Sequence, residues 1–113
     1  MAIDYTAHCR LPEDQTERRI EYLRRARPNW FGTVLAITDS LDLRPFGVEI
    51  AREFGIEARS KFVLFVLDKE RLDAVRDAVE FVYQVFGTDY LVITWGNDSI
   101  RPPLQSYRPM PLD

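Results

Sequence analysis

The stretch from Phe62 to Trp95 constrains the fold most, because three runs of two different kinds follow one another in close succession. Phe62 to Leu67 (FVLFVL) is a continuous apolar run of strand length, ended by the charged Asp68 and Lys69. The period then changes. Leu72, Val75, Val79, Val82 and Phe86 recur on one helical face, Ala78, Phe81 and Val85 widen it, and Gly87 closes it. Tyr90 to Trp95 (YLVITW) is a second strand-length run. Strand, amphipathic helix and strand in this order commit the chain to a sheet with helices packed on it.

The rest of the sequence extends that pattern. Ala2 to Cys9 alternates, with Ile3, Tyr5, Ala7 and Cys9 on one side and Asp4, Thr6 and His8 on the other. This predicts a strand with one wet face, which speaks against a central place in the sheet. Pro12 opens an acidic turn, Ile20, Leu23 and Ala26 follow at helical spacing, and Arg24, Arg25 and Arg27 gather at the far end before Pro28. Acids first and bases last suit the helix dipole. Phe31 to Thr38 reads as a strand covered on both faces, Asp39 to Leu43 as a polar turn, and Pro45 to Phe54 as a short second helix ended by Gly55. Asp68 is placed to cap the third helix, and Gly96 to Ser99 has turn composition.

Four strands alternating with three helices predict a single small α/β domain over residues 1–101, in βαβαβαβ order with right-handed crossovers. If residues 39–60 are only an embellished connection, two strand-helix-strand units remain and the fold is a ferredoxin-like α+β sandwich. Residues 102–113 contain four of the seven prolines, so they form neither helix nor central strand and read as an extended arm.

A chain of 113 residues supports one core. Its single Cys9 cannot form an internal disulfide, and MAIDYTAHCR has neither the basic nor the apolar region of a secretory signal, so a reducing cytoplasm is expected. No apolar run approaches the roughly 20 residues that span a bilayer, which argues against a membrane role. The net charge of −3 argues against nucleic acid as a partner.

Candidate chemistry is sparse. The five glycines occur singly, with no dinucleotide-binding or P-loop spacing. His8 and Cys9 are neighbours on a strand and therefore face opposite ways, so they cannot pair as base and nucleophile; Cys9 reads as a small buried residue and His8 as a surface one. Asp39, Asp68 and Asp98 each follow an apolar run. In a parallel sheet such ends converge on one edge, where the three carboxylates could hold Mg²⁺ for phosphoryl transfer or hydrolysis. Helix capping at Asp68 and turns at Asp39 and Asp98 account for the same residues without a ligand. The expectation is therefore a chain without catalysis or cofactor, with Mg²⁺ confined to the enzymatic alternative.

The remaining features suit contact. Thirteen of the fifteen basic residues are Arg, whose planar guanidinium favours interface recognition. Arg24, Arg25, Trp30, Trp95, Tyr107 and Arg108 are residue types enriched in interfaces, and a proline-stiffened arm loses less entropy on docking. Together they predict a small intracellular binding or regulatory domain of the inhibitor or immunity type, holding one protein partner or a second copy of itself.

Overall fold

The computed structural model describes residues 4–95 and 99–112. In chain order the elements are β1 (Asp4–Cys9), α1 (Glu13–Ala26), β2 (Leu35–Ile37), β3 (Leu41–Asp42), α2 (Pro45–Glu53), β4 (Ser60–Val66), α3 (Leu72–Phe86), β5 (Leu91–Trp95) and β6 (Ser99–Ile100). The strands lie in the order β2-β4-β1-β5-β6, and β3 joins β2 along the same side of β4. Every pairing between these strands is antiparallel, and an isolated bridge, Phe31 to Leu35, is parallel. No helix among the described residues is long and apolar enough to cross a membrane.

This corrects the βαβαβαβ expectation. The sheet has six strands rather than four and is antiparallel, so the fold is α+β. Its frame consists of two strand-helix-strand units, β1-α1-β2 and β4-α3-β5, as in the α+β alternative, with β3 and α2 filling the connection between them. The physical reason lies in α2. Helices α1 and α3 touch each other and share one core with Tyr5, Ala7, Cys9, Phe62, Leu64 and Ile93. Helix α2 packs instead on the opposite face, where Ala51, Ile56 and Ala58 meet Leu43 and Val92. The segment that holds it brings the chain back beside β2, so β4 runs antiparallel to β2 and to β3 and α2 joins no parallel pair.

Four local expectations also change. Strand β1 is central, between β4 and β5, because α2 covers part of its polar face and buries His8 to 3% exposure. Only Leu35 to Ile37 of the predicted Phe31–Thr38 strand pairs, and it lies at the sheet edge. Ahead of it the chain turns through Gly32 at φ 118, and the amides of Val34 and Leu35 both donate to the Trp30 carbonyl at 2.9 Å. The polar turn at 39–43 contains β3. Asp68 does not cap α3: Arg71 holds the N-cap position, and Asp68 Oδ1 accepts from the Glu70 amide at 3.1 Å in the preceding turn.

Residues 102–112 form no helix or strand and fold back over α1 and α3. Arg19 donates to the carbonyls of Val85 and Met110 at 2.5 and 2.8 Å, and the Met110 amide donates to Val85 O at 3.2 Å. Gly87 makes the return possible. At φ 87 it adopts a conformation that side-chain-bearing residues avoid, and a Cβ there would sit 2.8 Å from the Pro109 ring.

Candidate functional site

The two-residue period of β1 divides the sheet into unlike faces. Tyr5, Ala7 and Cys9 enter the helix-covered core, whereas Thr6 and His8 face the other way. Across the register Thr6 lies beside Val63 and Thr94, and His8 beside Lys61 and Val92. One end of this second face is closed by α2, whose flanking Phe54 stacks on His8 at 5.8 Å. Nine helical residues reach only about 14 Å, so the other end stays open. Phe65 of β4 and Ile100 of β6 remain exposed there.

Between α2 and the sheet runs a groove of about 990 Å³. Thr6, His8 and Lys61 line it from the strands, and Leu43, Arg44, Phe46 and Ile50 from the opposite wall. Pro45 fixes the first helical turn with Arg44 as N-cap, which places Arg44 and Phe46 at the start of α2. Phe46 is 75% exposed although it is a large aromatic residue. The charged residues lining the groove are Arg44 and Lys61, and neither has an ion pair among the described residues.

His8 occupies the deepest position. Its Nε2 lies 3.4 Å from Thr94 Oγ1, while Nδ1 has no hydrogen-bond partner among the described residues. Burial, assisted by the charge of Lys61, pushes its pKa below the usual histidine value of 6.5. Burial thus favours the neutral ring, and a surface histidine is not what the structure contains.

Comparison with known proteins gives this face a context. A protein-family model, CDI System Immunity Component, matches residues 1–99. The chain belongs to this family. It is an immunity-type, protein-binding domain. Among solved structures it resembles a chain of the CdiA-CT/CdiI toxin and immunity complex from Burkholderia pseudomallei, with 22% identity and a TM-score of 0.82 over 90% of this chain and 99% of that one. At that identity the likeness speaks for the fold. Comparison with curated proteins gives no match.

In this immunity component, three of the six contact residues expected from the sequence are engaged within the domain. Arg24 donates to Ile37 O at 2.9 Å and to Asp39 Oδ1 at 3.2 Å. Trp30 meets Phe81 edge-on at 5.9 Å, with the Arg27 guanidinium over its ring at 5.1 Å. The Tyr107 hydroxyl bonds Glu80, and its backbone pairs with Thr88. Arg25 and Arg108 are exposed, and Trp95 is 52% exposed while resting against Tyr5. None of the six lines the groove.

The carboxylates do not form the edge cluster that the Mg²⁺ alternative requires. Asp39 follows β2 and Asp68 follows β4, and because these strands are antiparallel the two residues lie at opposite ends of the pair. Asp98 lies outside the described residues. No group of three or more His, Cys, Asp or Glu residues suited to a metal occurs among the described residues. Cys9 is fully buried and accepts from Thr16 Oγ1 at 3.3 Å, and burial raises its thiol pKa. It is a packing residue.

Phe46 and Lys61 have no functional signal of their own in the sequence, and Arg44 enters there only as a basic neighbour of the carboxylates in the Mg²⁺ alternative. The available indication was a mismatch: apolar Phe46 and Ile50, one helical turn apart, oppose the polar Thr6, His8 and Lys61 of the strands. Such surfaces do not complete each other, which leaves room for a third party.

Proposed function

We propose that this immunity component binds one protein toxin, inside the cell that makes it, and neutralises it by occupying a surface rather than by chemistry. Membership of the immunity family supports a protein partner. The observation that supports a contact on the second sheet face is its incomplete cover. A nine-residue helix shields His8 and Val92 but leaves Phe46, Phe65 and Ile100 exposed beside the groove. Exposed aromatic and aliphatic side chains next to cations without an ion pair among the described residues have the composition of an interface core with its polar rim. The six residues expected from the sequence do not line the groove, and Arg25, Trp95 and Arg108 are the exposed ones among them. No cofactor enters this reading.

The test uses the toxin domain of the same CDI system, produced separately. Mixing should give a complex with one copy of each chain by light scattering. Hydrogen exchange in the complex should slow at β1, β4 and the start of α2 more than at α1 and α3. Absence of a complex removes the proposal, and protection confined to α1 and the 102–112 arm moves the contact to the opposite face.

A further inference from the structure

We propose that the groove between α2 and the sheet receives an acidic side chain of the protein partner, carried between apolar neighbours. This deepens the toxin-binding reading and rests on it.

Charge gives the first argument. The chain carries a net charge of −3, yet the charged residues lining the groove are two cations. Arg44 approaches from the α2 side and Lys61 from β4, so a carboxylate between them would meet a planar fork of donors on one side and a compact ammonium on the other. Neither cation is neutralised by an ion pair among the described residues. Elsewhere the acidic balance of the chain disfavours an acidic partner, so the groove fixes where such a residue can enter and sets the register of docking.

The second argument is the deepest polar group. His8 is 3% exposed, lines the groove, and leaves Nδ1 without a hydrogen-bond partner among the described residues. Buried polar atoms are ordinarily paired, and this one, itself out of contact with solvent, makes the layer beneath the groove polar rather than apolar. The third argument is the apolar wall of Leu43, Phe46 and Ile50. It has nothing to offer a phosphate backbone but matches the methylenes of a glutamate and the apolar residues beside it. These features favour a peptide segment over nucleic acid.

The probe is the tripeptide acetyl-Leu-Glu-Phe-amide, titrated at millimolar concentration into the full, isotope-labelled chain, with the Gln analogue as control. The Glu peptide should saturably shift the amides of Thr6, His8, Arg44, Lys61 and residues 46–50, and the Gln analogue should bind about tenfold more weakly for loss of the charged hydrogen bonds. Arg44→Glu with Lys61→Glu should abolish the response while amides of α1 and α3 keep their positions. Arg44→Glu alone, at an exposed site, should weaken it and serves if the double variant does not fold. Equal response to both peptides, no response at these amides, or a stronger response to a short oligothymidylate overturns the inference. If the double variant still binds the toxin domain as tightly as the parent, the acidic contact is wrong and the toxin-binding reading stands. If the parent itself binds no toxin domain, that reading fails.

Discussion

Truncation of Phe46 to alanine separates binding from folding at a single position. The side chain is 75% exposed at the start of α2. Of the roughly 200 Å² that an aromatic side chain can bury, about 150 Å² is still in contact with water. Covering that area at about 25 cal/mol per Å² has a ceiling near 4 kcal/mol. Fixing the ring costs about 1 kcal/mol, and alanine retains the Cβ contact, which leaves an expected loss of about 2–3 kcal/mol. Calorimetric titration with the toxin domain should therefore show Kd rising by about 30- to 150-fold. Folding should be spared. Little packed surface is lost and alanine is a better helix former than phenylalanine, so the thermal midpoint should stay within about 2 °C of the parent. A Kd within about threefold of the parent would refute the placement of the interface. A midpoint that drops with the affinity would show that Phe46 supports the fold instead.

Tyr83→Phe tests the packing of α3 against the sheet. The hydroxyl, whose pKa burial pushes up to about 12, accepts from the Ile93 amide at 3.0 Å and donates to Arg101 O at 2.5 Å. Its loss strands a buried N–H, costing about 2 kcal/mol and lowering the midpoint by about 8 °C in a scanning melt; a change below about 2 °C would mean that another group satisfies Ile93. His8 makes stability depend on pH. With its folded pKa below the usual 6.5, the unfolded chain binds a proton first, so its contribution is complete above pH 6.5 and declines as pH falls towards the folded value. Denaturant midpoints in His8→Gln should lose that part of the slope, and identical slopes in the two chains would show that burial does not disfavour the charged ring.

Much of the fold was legible because hydrophobic period is a local property. The alternation at residues 4–9, the helical recurrence from Leu72 to Phe86, the stop at Gly87 and the entry of α2 at Pro45 all coincide with observed elements. Strand direction was not legible, because it is set by pairing between segments far apart in the chain, as where Leu35 meets Val66 and Thr6 meets both Val63 and Thr94. The groove was hidden for the same reason. Its floor exists only once His8 pairs with Lys61, across more than fifty residues of sequence. Residue type also misled. Arg24 and Tyr107 have interface chemistry, but the same donors satisfy Ile37 O and the Glu80 carboxylate inside the domain.

The alternation along β1 and β4 has a consequence for how such a protein can change. Ala7, Phe62 and Leu64 are fully buried and hold the fold, while Thr6, Lys61 and Phe65 sit one residue away on the other side of the same backbone. A substitution at the second set alters what the sheet displays without adding or removing volume from the core. Recognition can therefore diverge between related chains position by position, at nearly constant stability, with the hydrogen-bonded ladder as an unchanging partition between the two.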